Sequence, residues 1–281
     1  MSLKRYERAK TVEEACRLLA AGEGTVAVLA GGTDILADLR GGRPVDAVVD
    51  IKAIPELREI RWSSNGELVI GSCVTMRRVA EDPRIAERYP ALAIAAGRMA
   101  SFQVRSRATI AGNLGNASPC ADTAPALLVL QARVRLAGPR GRIEAAFHGF
   151  IRDCKKTALE RGEIITAVVV PPGPPGLRSA FLKIKRVRGH DMALVNAAGA
   201  FDPATREFRL AIGSVAPTPL LIPGLEGVCP PGATADEVGE AVAEIALEHI
   251  HPIDDVRATA EYRRDMTALL CRRLAKSLMT E

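Results

Sequence analysis

Two short glycine turns constrain this chain more than any other feature. The first, AGGTD at residues 30–34, follows the apolar run VAVL; the second, TIAGN at residues 109–113, opens the stretch TIAGNLGNASPCADTAPALLVL. That stretch sets small residues, two Asn, two Pro and one Asp between a short apolar entry and a helix-like apolar exit. Glycine lets the backbone bend at positive φ and present successive N–H groups with no Cβ in the way. Such a concavity suits phosphate oxygens. Each turn by itself also reads as a plain tight turn. Two of them, from different subdomains, can pinch one pyrophosphate, with Thr33, Asn113 and Ser118 as polar anchors. Asp122 either N-caps the apolar run 124–130 or accepts a hydrogen bond from the ligand. Neither turn is a G-x-G-x-x-G fingerprint, and no G-K-[ST] follows.

Periodicity fills in the rest. Thr11 and Glu14 have capping-box spacing, and Val12, Ala15, Cys16 and Leu19 give one helical face, ended by Gly22 or Gly24. TVAVLAGGTD reads as a buried strand entering the first turn, and DAVVDI (46–51) as a second strand. Asn65-Gly66 marks a hairpin between LREIRW and GELVIGSC, Thr75 N-caps the helix after it, and ALAIAAGRMA (91–100) is a small-residue helix. ARVRLAG, GRIEAAF and GEIITAVVVP read as strands. PPGPPG (171–176) is the clearest linker. Beyond it, strands AFLKIKRV, NAAGAF and REFRLAIGSV precede helices near 235–250 and 259–279. The expected class is α+β, in three parts: 1–55, 56–172 and 177–281.

Composition mainly excludes. The 281 residues suffice for a real core and for one to three domains. No run reaches the roughly 18–20 apolar residues of a membrane span, and charges interrupt the N-terminus where a signal core would lie. The expectation is a cytoplasmic chain with no membrane span. A net charge of +5 is too diffuse to point to nucleic acid, and 4% aromatic residues leave little for base stacking. The six cysteines form no C-x-x-C, so neither zinc nor an iron–sulfur cluster is written into local spacing. His249 and His251 read as the end of a helix near Pro252 rather than metal ligands. No metal and no catalytic residue is expected in this chain.

AGGTDIL, TIAGNLGNASPCADTAPALLVL, TALERGEIIT and YRRDMTALL, in that order across nearly the whole chain, resemble the FAD-binding medium subunit of the molybdenum hydroxylases. That family includes xanthine dehydrogenase, carbon monoxide dehydrogenase and nicotinate or aldehyde dehydrogenase types. The resemblance implies a vanillyl-alcohol-oxidase (PCMH)-type FAD-binding domain of two subdomains, 1–55 and 56–172. A CO-dehydrogenase-flavoprotein-like α+β domain would follow at 177–281. It implies FAD contacts from Leu29, Ala30, Gly31, Gly32, Thr33, Asp34 and Ile35, and from Thr109, Ile110, Ala111, Gly112 and Asn113. Ser118 and Asp122 match the next polar positions, Asp122 toward a ribose or flavin group. Ile165 matches an apolar residue near the isoalloxazine and adenine-side groove, and Lys183 a lysine near the flavin ring, with Asp191 following. Lys183 also reads as an exposed lysine alternating on a strand. Where carbon monoxide members show A-G-G-H-S this chain has AGGTD, which disfavours that substrate. Neither turn holds a His for a covalent flavin link, and the four-cysteine insertion of some members is absent.

The activity implied is that of an electron-transfer oxidoreductase subunit that does not oxidise substrate alone. Electrons from a molybdopterin centre in a large subunit would pass through the 2Fe-2S clusters of a small subunit to this FAD. They would leave to NAD or another acceptor, in a dimer of heterotrimers acting on xanthine or another N-heterocycle. Two other readings stand beside it. A stand-alone flavoenzyme of the same fold needs its own catalytic His, Tyr or Ser, whereas His148, His190, His249 and His251 attach to no motif. A non-enzymatic nucleotide-binding module would be colourless. Arg105 and Arg107 flank the second turn and would steer FAD, meet an acidic partner face, or sit in a solvated loop. The basic run LKIKRVR (182–188) alternates as a half-buried strand does and lacks the aromatic partners RNA binding uses.

Overall fold

The structure is a computed structural model and describes residues 3–280. The chain begins β1 (Arg5–Arg8), α1 (Val12–Ala21), β2 (Val26–Leu29), α2 (Ile35–Arg40) and β3 (Ala47–Asp50), then a 3-10 turn at Pro55–Arg58. It continues with β4 (Ile60–Trp62), β5 (Leu68–Gly71), α3 (Met76–Glu81), α4 (Pro83–Arg88), α5 (Pro90–Arg98), α6 (Phe102–Arg105), α7 (Ile110–Gly115) and α8 (Thr123–Val129). Strands β6 (Arg133–Gly138), β7 (Gly141–Ala146), β8 (Ile151–Asp153), β9 (Lys156–Thr157) and β10 (Ile164–Val170) follow. The last part holds β11 (Arg178–Ile184), β12 (Val195–Asp202), β13 (Glu207–Gly213), β14 (Leu220–Leu221), α9 (Ala235–His249) and α10 (Ala260–Met279).

Two compact units result. One comprises residues 1–78, 102–116 and 132–172, the other residues 79–101, 117–131 and 173–281. These units cross the expected parts 1–55, 56–172 and 177–281 at two places. Residues 1–55 share a unit with the strands of 56–172, and the helical segments 79–101 and 117–131 leave that unit for the one built on the C-terminal residues. The reason lies in α5, whose Ala91, Leu92, Ala93, Ala95 and Ala96 are all buried. A helix apolar on most sides needs cover on most sides, and α5 and α8 find it on the C-terminal sheet.

In the first unit a parallel three-stranded sheet has the order β1–β3–β2. Its central strand, AVVD, is buried at every position because apolar clusters lie on both faces. Val49 packs with Val12, Ala15, Cys16 and Leu19 of α1. Val48 packs with Leu29, Leu39 and Val45. β2 is an edge strand and only its Leu29 is buried, less than its apolar sequence suggests. β1 (RYER) carries no apolar alternation and is recruited by pairing with β3. An antiparallel five-stranded sheet runs β4–β5–β10–β6–β7, with β10, IITAVVV, buried throughout at its centre. Gly66 takes φ +85° in the turn that joins β4 to β5.

The second unit is an antiparallel sheet, β11–β12–β13–β14, with α5 and α8 on one face and α9 and α10 on the other. All eight residues of β12 are therefore buried. Val195, Ala197 and Phe201 join the core formed with α9 and α10. At Gly199 a Cβ would stand 2.7 Å from Leu278 Cδ1, so small residues in β12 let α10 approach. The α10 segment YRRDMTALL supplies a buried guanidinium: Arg263 donates to the carbonyls of Leu194 (2.6 Å) and Ser214 (3.1 Å) and to Asp255 Oδ1 (2.9 Å). α9 opens on a full capping box, Thr234 with Glu237. Among the described residues no helix is long and apolar enough to cross a membrane.

Candidate functional site

Both motifs fall in the first unit, but the second is corrected: residues 110–113 form the first turn of α7 and not a positive-φ glycine turn, and the N–H groups of Ile110, Gly112 and Asn113 are already given to Val74 O, Thr109 Oγ1 and Thr109 O. Gly32 bends the chain at φ +82° between β2 and α2. A Cβ on Gly31 would overlap the carbonyl oxygen of Arg107 and lie 2.8 Å from Ala108 Cα, so only glycine lets the first turn seat against the backbone that leads into α7. That backbone is itself fixed. Thr75 and Thr109 form a bridge, Met76 N–H donates to Ala108 O at 2.8 Å, and Ile110 N–H to Val74 O at 3.1 Å. Thr109 N-caps α7, its hydroxyl accepting from Gly112 N–H at 3.1 Å. Thr75 likewise accepts from Arg78 N–H at 3.3 Å.

Among the described residues, Gly31 to Ile35 donate no N–H group to another backbone carbonyl. These donors, on a turn with no side chain at its first two glycines, fit a diphosphate. The side chains of Leu29, Ile110 and Ala111 are core, so what those positions can offer a ligand is backbone. Ile165 is buried in β10 and its Cδ1 would lie 3.8 Å from a Cβ on Gly115 at the end of α7.

One tie across the two motifs was missed by sequence reasoning. Asn116, the C-cap of α7, donates Nδ2–H to Asp34 Oδ1 at 2.9 Å and accepts from Lys155 Nζ at 2.8 Å. Asp34, at the N-cap position of α2, makes no capping bond, because its carboxylate is turned toward Asn116. An Asn just after a helical Gly signals a C-cap in sequence. Its partners, 82 residues before it and 39 after it, have no sequence signal.

Ser118, Asp122 and Lys183 belong to the second unit. The capping role expected for Asp122 is corrected: it takes helical φ and ψ (−65°, −34°) and caps nothing with its side chain. Instead its Oδ2 accepts from Lys183 Nζ at 2.7 Å and its Oδ1 from Asn196 Nδ2 at 2.9 Å. Both side chains of the ion pair are only 4% exposed. Burial pushes the Asp122 carboxyl up against the pull of Lys183. The reading of Lys183 as an exposed strand lysine is likewise corrected, since antiparallel register sets it opposite Asn196 on the face that α8 covers. Gly213 lies opposite Asn196 on the other side, where a Cβ would overlap Asn196 Oδ1. Ser118 accepts from Cys120 N–H at 3.3 Å. Asp191 is paired with Arg186, which holds its carboxyl down at about 2. His249 ends α9 with Nδ1 2.9 Å from Ile245 O.

The FAD binding domain of molybdopterin dehydrogenases matches residues 2–173, more than half the chain. The chain belongs to that family. The CO dehydrogenase flavoprotein C-terminal domain matches residues 179–278, so the two matches part at the Pro/Gly linker. The putative xanthine dehydrogenase FAD-binding subunit XdhB of Escherichia coli K12 is 34% identical over 92% of this chain and 90% of its own length. The carbon monoxide dehydrogenase medium chain of Hydrogenophaga pseudoflava is 32% identical over 95% of this chain and 94% of its own. A solved structure of carbon monoxide dehydrogenase from that organism, lacking the Mo-pyranopterin moiety, superposes with a TM-score of 0.92 at 30% identity, covering 98% of this chain and 97% of the other. This chain is thus an FAD-binding medium subunit of the molybdenum hydroxylase family, an oxidoreductase component with the α+β fold expected of it.

Proposed function

We propose that this medium subunit is the electron-transfer component of a heterotrimeric molybdenum hydroxylase. Electrons reach it from the iron–sulfur clusters of a small partner subunit, fed by a molybdenum cofactor in a large one, and leave to NAD or another acceptor. Choice of substrate resides in the large partner. The observation that carries the reading is the first glycine turn, which only a glycine at position 31 lets seat against the Arg107–Ala108 backbone leading into α7, and whose N–H groups from Gly31 to Ile35 go to no backbone carbonyl.

FAD, when bound, supplies the redox chemistry. The chain's own residues bind and orient it. The N–H groups of Gly31 to Ile35 would hold the diphosphate, with the Thr33 hydroxyl as a further donor, and the start of α7 at Thr109–Asn113 would contribute the remaining contacts. Thr109 fixes the start of α7 by accepting from Gly112 N–H. Buried Ile165 backs α7 and keeps water from behind it. Dry backing strengthens each N–H to phosphate bond relative to one made in bulk water.

The test is co-purification from the native host, with absorbance and metal analysis. The full chain alone carries a flavin spectrum and releases FAD on denaturation. Iron and molybdenum arrive only with partner chains, and NAD reduction requires all of them. Gly31→Val, whose Cβ has no room beside Arg107 O, loses the flavin. Substrate oxidation by the chain alone would refute the subunit reading.

A further inference from the structure

We infer that Lys155 is the cation of the FAD diphosphate seat, presented to the first glycine turn through Asn116. This rests on the reading that the first glycine turn, with the start of α7, holds the diphosphate. Among Leu29 to Ile35 and Thr109 to Asn113 the one ionisable side chain is Asp34, a carboxylate where a dianion is to bind. Left alone it opposes binding. The chain Lys155 Nζ to Asn116 Oδ1 (2.8 Å) and Asn116 Nδ2 to Asp34 Oδ1 (2.9 Å) sets an ammonium one amide away from that carboxylate. All three residues lie in the first unit.

The amide's orientation is fixed by its partners: its nitrogen faces an acceptor and its oxygen a donor. An aspartate at 116 would set two carboxylates against each other. An ammonium has three N–H donors, and Asn116 takes one of them. The others, and the charge, suit phosphate oxygens.

The backbone supplies a second, independent observation. Lys155 sits at the tip of the β8–β9 hairpin with φ +61°, in the left-handed region. An L-residue with a Cβ pays for that conformation and glycine does not. Strain retained at this place points to the side chain being used.

The test uses the full chain stripped of flavin, titrated with FAD and with ADP at about 50 mM and about 500 mM salt, alongside thermal melts. Lys155→Gln weakens both ligands about three- to tenfold at low salt, and the difference closes at high salt because the Debye length shortens. Lys155→Arg keeps wild-type affinity. Lys155→Gly loses affinity as Lys155→Gln does, yet melts at the same temperature as wild type or higher, because the positive φ no longer costs anything. A merely structural lysine would move affinity and melting temperature together. The inference is overturned if Lys155→Gln and Lys155→Gly bind FAD and ADP like wild type at low salt, or if their loss is independent of salt. Gly31→Val separates the two levels. If it abolishes FAD binding while the Lys155 variants bind normally, the glycine-turn seat stands and the role of Lys155 falls. If Gly31→Val binds FAD normally, the seat itself falls and takes the inference with it.

Discussion

Replacing Lys183 with methionine strips the ammonium from Asp122 while keeping most of the side-chain volume. Because both groups are 4% exposed, the carboxylate left behind keeps only Asn196 Nδ2 as a side-chain donor. Removing one partner of a buried ion pair costs about 3–5 kcal/mol, a large share of a total stability of about 5–15 kcal/mol. The cost depends on pH with a definite sign. Burial already raises the Asp122 carboxyl above its ordinary 3.8, and without Lys183 that push is unopposed. The folded variant then holds a proton that the unfolded chain has released. Its stability is fully present below about pH 4 and falls as pH rises toward the folded pKa, by about 1.4 kcal/mol per pH unit. Urea unfolding between about pH 5 and pH 8, followed by circular dichroism of the helices, measures this. The single tryptophan, Trp62, lies in the first unit and is the wrong reporter for a change in the second. The expected deficit of Lys183→Met is larger at pH 8 than at pH 5, because burial raises the Asp122 carboxyl. Pairing it with Asp122→Leu restores most of the loss, since an apolar pair replaces a buried ionic one at little cost. A deficit under about 1 kcal/mol, or one unchanged from pH 5 to pH 8, would refute the buried pair. Stability unchanged with an altered flavin potential would instead support the flavin-ring role that the family resemblance implies for Lys183.

Two other outcomes follow from single contacts. Gly213→Ala drives a methyl into Asn196 Oδ1 and destabilises the second unit by about 1–3 kcal/mol in the same urea experiment; an unchanged midpoint would show that Asn196 does not hold this rotamer. Burial pushes the thiols of Cys73 to about 11 and Cys271 to about 12, whereas Cys154 is exposed. A thiol reagent at pH 8 therefore labels Cys154 first and Cys271 only on unfolding, and equal native rates would contradict the burial.

Local chemistry made much of this chain legible. Glycine at 31 and 32 after an apolar strand, Thr109 three residues ahead of Gly112, and the capping at Thr11 and Thr75 each act over a few residues, where sequence spacing and spatial distance nearly coincide. The central strands β3 and β10, rich in Val, Ile and Ala and broken only by Asp50 and Thr166, were legible for the same reason. β1 was not, since RYER has no apolar alternation and becomes a strand only when β3 offers it an open edge.

What tertiary structure alone decided is partnership over long separations. Sequence shows that Asp122 precedes an apolar run; only the fold, bringing Lys183 and Asn196 to it across 61 and 74 residues, turns a cap into a buried ion pair. It likewise assigns α5 and α8 to the C-terminal sheet, because apolar surface is buried against whatever face is available and not against its sequence neighbours. The first glycine turn and the flavin family were written in the sequence, since close backbone approach admits few residue types; TIAGN instead became the start of α7, with Thr109 capping Gly112. Asn116 and Lys155 became visible only when folding set an amide between a carboxylate and an ammonium, for hydrogen-bond partners are chosen by distance in space.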